Sequence, residues 1–93
     1  MPGYERAEVS AELTVVPSKH AGKPPREQVE AAKTVAGETG LAREAGSETL
    51  VLAGDRREVL QATMEVVEAS LDAGASAVEI KVETEGDAPR FGG

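Results

Sequence analysis

The stretch DRREVLQATMEVVEASLDAGASAVEIKVE, residues 55–83, switches its apolar period from helical to extended, and that switch decides the fold. Asp55 stands three residues before Glu58, which is capping-box spacing with Asp in place of the usual Ser or Thr. Val59, Leu60, Thr63, Val66, Val67, Ser70 and Leu71 then recur at three-to-four spacing until Gly74. The pattern predicts a helix over about 56–73. Beyond Gly74, Val78, Ile80 and Val82 alternate with Glu79, Lys81 and Glu83, which predicts a strand over 77–83 with one apolar face.

Working back from this helix–strand pair, residues 41–53 hold two extended pieces separated by Gly46-Ser47-Glu48, a hairpin or one long kinked strand. Over 26–38, Val29, Ala32, Val35 and Ala36 share one helical face, and Gly37 and Gly40 offer a stop. The stretch 18–25 is loop chemistry throughout, with Pro placed to open the helix after it. Residues 11–16 alternate Leu13 and Val15 with Glu12 and Thr14 before Pro17 stops the ladder, so they predict the first strand. The order is β, α, β, β, α, β. It predicts an α+β, ferredoxin-like domain in which an antiparallel sheet carries two helices on one face. We expect one domain over 1–93, ordered over about 8–84, with 86–93 fraying.

Composition narrows the function. With 93 residues there is room for a single core, and with 40% apolar content and only Tyr4 and Phe91 as aromatics that core is aliphatic and thin. Small cores are often supplemented by a disulfide, a metal or a second subunit. The chain has no Cys and one His, so self-association into a homodimer or homotetramer is the expected device. Seventeen acidic residues against ten basic ones, net −7, repel a phosphate backbone, so no nucleic-acid partner is expected. That acidity serves solubility and mildly favours a cationic ligand. No apolar run approaches the roughly 20 residues that span a bilayer, and the N-terminus has no apolar signal core. We expect no membrane partner and a cytoplasmic location.

No catalytic constellation stands out, and no enzymatic activity is expected. The only histidine, His20, lies in the Gly/Pro-rich loop, either solvated or covering a ligand on loop closure. Neither a His pair nor an Asp-rich loop is present to hold a metal. Gly37-Glu-Thr-Gly40 lacks the Gly-Lys-Ser/Thr ending of a phosphate loop and reads as a helix stop. Alternation places Glu12, Thr14, Glu79, Lys81 and Glu83 on the sheet face away from the helices, as a wet surface, a polar subunit contact or a ligand patch. The break 46–49 offers backbone N–H groups and the hydroxyls of Ser47 and Thr49, which suits a small molecule and equally an ordinary turn.

The first strand ending in Val16-Pro17, the Gly46-Ser-Glu-Thr49 break and the helix-two ending Ala69-Ser-Leu-Asp-Ala-Gly-Ala75 together resemble the small thiamine-binding protein family, over roughly residues 8–84. The resemblance implies a ferredoxin-like subunit, assembled into dimers and tetramers, that binds thiamine or its hydroxymethylpyrimidine part without turning it over. Carried over by position, Gly46 and Thr49 match that family's break and the loop after Pro17, with Ser18, its ligand-side loop. Ser18, Gly46, Ser47 and Thr49 are therefore the expected ligand-binding residues. No other cofactor is implied. The chain departs from the family at Pro24-Pro25-Arg26, where members often carry Ser, and at Ser47-Glu48, where many read Pro-Met. Two further readings stay open: a structural or regulatory subunit that pairs through a sheet edge, and a small acyl-phosphate hydrolase, whose phosphate loop would need Arg where Lys19 and Lys23 stand.

Overall fold

A computed structural model describes residues 7–20 and 22–84. Tyr4, Phe91 and the segment expected to fray lie outside the described residues.

Alternation sets the first strand, β1, over Val9–Val16. Val9, Ala11, Leu13 and Val15 are buried on one face, while Glu12 is exposed on the other. The strand starts two residues ahead of the sequence expectation because Val9 and Ser10 continue the same alternation into the ladder. Helix α1 runs over Pro25–Thr39. Pro25 costs the helix nothing at its first position, where the missing N–H has no intrahelical partner. Of the two candidate stops, Gly37 lies inside the helix and Gly40 ends it in the left-handed region at φ 78°.

The hairpin reading of 41–53 holds, with β2 over Ala42–Ala45, a turn at 46–48 and β3 over Thr49–Gly54. Helix α2 spans Arg56–Asp72, and the Asp55 carboxylate accepts the Glu58 N–H at 3.3 Å, as the capping spacing requires. The last strand, β4, is Ala77–Thr84. The sheet order is β2-β3-β1-β4, and each neighbouring pair is antiparallel. This is the ferredoxin-like α+β arrangement.

Register puts Leu13 between Leu50 on β3 and Ile80 on β4, and Ala11 between Leu52 and Val82. The core closes where α1 contributes Val29, Ala32 and Ala36 and α2 contributes Val59, Ala62 and Val66. Burying a Leu or Val side chain stabilises a fold by about 1.5–3 kcal/mol, so Leu13, Leu50 and Leu52 dominate this aliphatic interior.

The apolar set that recurs along α2 is wider than the arc the helix buries. Val59, Thr63, Val66 and Ser70 are buried, whereas Leu60 is 46% exposed and Leu71 51%. Each residue advances about 100° around a helix, which carries Leu60 out of the contact that Val59 makes.

Candidate functional site

The loop after Pro17 is held by one buried side chain. Gln28, in the first turn of α1, is 0% exposed. Its Oε1 accepts the Ser18 N–H at 2.8 Å, and its Nε2 donates to the Ser18 carbonyl at 2.8 Å and the Lys23 carbonyl at 2.6 Å. A single amide thus ties both ends of the loop to the helix, because it carries an acceptor oxygen and two N–H donors together on one planar group. The loop also rests on the end of α2. Lys23 N–H donates to Ala73 C=O at 2.9 Å, and a Cβ at Gly22, whose φ is 67°, would collide with that oxygen.

The turn between β2 and β3 is closed by Gly46 N–H donating to Thr49 C=O at 2.8 Å. A Cβ at Gly46 would meet Thr49 Oγ1 at 2.7 Å, so a larger residue there would have to displace that side chain. Lys33 of α1 reaches across and donates from Nζ to the Gly46 carbonyl at 2.5 Å.

These pieces converge on one open groove of about 230 Å³. Pro17, Pro25 and Val29 form its apolar wall, and Ser47 and Glu48 enter from the turn. Arg26, Glu30 and Lys33 complete the rim, which therefore presents two cations and two carboxylates. Of the expected site residues, Ser47 lines the groove. Ser18 stands beside its Pro17 wall, with the hydroxyl accepting the His20 N–H at 3.1 Å. Gly46 and Thr49 hold the turn shut. Gln28 escaped the sequence reading, although it sits four residues before Ala32 and eight before Ala36 on the buried stripe, where a polar residue needs a partner.

Two other surfaces offer less. A larger groove of about 500 Å³ lies at the start of α2, among Glu8, Asp55, Arg56 and Arg57. Two of its helix N–H groups are already taken, Arg56 N–H by Glu8 Oε1 at 3.0 Å and Glu58 N–H by Asp55. On the open sheet face, where alternation predicted these residues, Glu12 lies opposite Lys81 and Thr14 opposite Glu79. There Lys81 Nζ stands 3.5 Å from Glu83 Oε2, with both side chains solvated. Among the described residues, no group of three His, Cys, Asp or Glu side chains is placed to hold a metal, and no helix is long and apolar enough to cross a membrane.

No protein-family model matches the chain, and no curated protein does. Solved structures do. A domain of unknown function, DUF77, from Bacillus cereus superposes with a TM-score of 0.67 at 25% identity, covering 85% of this chain and 75% of that one. A hypothetical protein from Methanocaldococcus jannascii superposes with a TM-score of 0.64 at 23% identity, covering 92% and 87%. The chain is similar to both across most of its length, and what it shares with them is the ferredoxin-like fold.

Proposed function

We propose that the chain is a non-enzymatic binding subunit whose ligand is a small, flat cation of the thiamine class, or its hydroxymethylpyrimidine part, and that it acts as a homo-oligomer. The observation that carries this reading is convergence: the loop after Pro17, the first turns of α1 and the turn 46–48 meet at one groove. The resemblance points to the same loop and break. Glu30 and Glu48 supply carboxylates for a cationic ring or an aminopyrimidine, Ser47 supplies a hydroxyl, and Pro17, Pro25 and Val29 supply an apolar wall for a ring face.

Titration calorimetry with thiamine and with hydroxymethylpyrimidine tests this. Heat of binding and a rise in Tm are expected, and Glu30→Gln and Glu48→Gln should each weaken binding about tenfold. No heat and no thermal shift up to about 1 mM ligand would remove the reading. The second reading is a protein-interaction subunit without a small ligand, and the unpaired outer side of β4 favours it. A stoichiometric partner protein captured by the ligand-free chain would support that alternative.

A further inference from the structure

One flank of α2 is apolar and uncovered. At about 100° per residue, Leu60, Met64, Val67 and Leu71 fall within an arc of roughly 60°, beside the buried Thr63. Met64 is 61% exposed. Glu58, Gln61 and Glu65 lie on the other flank, and there they border Thr39 and Leu41, so that flank faces α1 and β2. The apolar arc is therefore turned to β4.

Helix α2 and β4 are joined by the short connection 73–76 and run back to back along the same edge of the domain. Leu60 lies about 20 Å along the helix from Ala73, and Val82 lies about 17 Å along the strand from Ala77, which brings the two roughly level. Met64 and Val67 stand at about the height of Ile80. Ile80 and Val82 are each 46% exposed, so a shallow apolar cleft runs between the helix and the strand.

The far end of this cleft is where the chain leaves the sheet. Thr84 pairs with Val9, Val9 pairs with Gly54, and the Glu8 carboxylate accepts the Arg56 N–H. The end of β4 and the start of α2 thus share one end of the domain. Residues 85–93, Glu-Gly-Asp-Ala-Pro-Arg-Phe-Gly-Gly, are tethered there. Gly86 suits a reversal of the chain, and Phe91 can lie up to about 23 Å from Thr84, more than the roughly 16 Å from Leu60 to Leu71.

We propose that the segment 85–93 of the same chain covers this cleft, with the Phe91 ring packed on Met64, Val67 and Ile80. Charge order favours this occupant. Arg57 borders the apolar arc at the start of α2 and Glu68 borders it about 16 Å further on, while the segment places Glu85 and Asp87 first and Arg90 later. Laid from Thr84 along the helix, it meets each charge with the opposite one. Pro89 lacks an N–H, so the segment covers side chains without extending the ladder of β4. An aromatic ring also brings the largest apolar surface that this aliphatic chain can offer. The contact lies at the opposite end of β1 from Pro17 and does not rest on the proposed ligand.

Phe91→Trp in the full chain tests it, because the sequence holds no other Trp. Its emission is expected at a shorter wavelength than that of solvated tryptophan and should stay there over about a hundredfold dilution, since an intramolecular contact is independent of concentration. Met64→Lys in that background should return the emission to the solvated wavelength, with far-UV melts verifying the fold. Phe91→Ala should raise the unfolding equilibrium constant about tenfold in urea titrations, and a double-mutant cycle with Met64→Ala should show coupling of at least about threefold. A solvated emission maximum in Phe91→Trp, a blue shift that fades on dilution and so assigns the cleft to a second copy, or a cycle without coupling overturns the proposal.

Discussion

The two edges of this sheet follow opposite rules. β2 is four residues long, every residue in it is exposed, and its register with β3 slips between Ala42 and Glu44, leaving Arg43 as the extra residue. Shortness, charge and a bulge are the devices by which edges avoid pairing with foreign strands. β4 has none of them on its helix side: it is eight residues long, regular, and lined by Val78, Ile80 and Val82. Its charges sit on the open face, where they alternate in sign. The contrast teaches that the same sheet protects the edge beside the 46–48 turn and leaves the other edge open to pairing.

The largest effect removes the sheet that carries both edges. Leu13 is fully buried between Leu50 and Ile80, and Leu13→Ala should cost about 3 kcal/mol by urea unfolding, with both edges lost together. Next, Gln28→Ala separates the two sides. It strips the side-chain partner from the Ser18 N–H and from the Ser18 and Lys23 carbonyls and should cost about 2 kcal/mol. Amide exchange should quicken in 18–24 while β4 is unchanged. Gly46→Ala should cost about 1 kcal/mol from the clash with Thr49 Oγ1, and combining it with Thr49→Ala should recover part of that loss in a double-mutant cycle. The smallest effect is at the edges themselves. Arg43→Glu should change stability by less than about 0.5 kcal/mol and leave assembly alone. The wild-type Tm should instead rise with protein concentration.

Much of the fold was legible because its signals are local. The Asp55 cap, the Pro25 start, the Gly40 stop and the alternation in β1 and β4 each depend on residues a few positions apart, and each lies where its chemistry requires. The site was legible only as two pieces, the loop after Pro17 and the break at Gly46. Their meeting across α1 depends on Lys33 reaching the Gly46 carbonyl and on Gln28 holding Ser18, contacts 13 and 10 residues apart that no local pattern encodes. Thr49 and Gly46, expected to bind a ligand, also brace the turn that presents Ser47 and Glu48.

By itself the sequence determined the order of elements, the face each strand turns to the core and the charge alternation along β4, because periodicity, caps and turn residues act within a single element. Only the tertiary structure decided which apolar residues that face actually buries. Leu60 and Val59 are equally apolar neighbours, yet one is at the surface and the other in the core, since the sheet and α1 close over only part of the helix. Burial depends on how many elements are present to cover a face, and that number is a property of the assembled domain. For the same reason the outward-facing edge of β4 became visible only once the strand order placed β1 on one side of it and, among the described residues, no strand on the other.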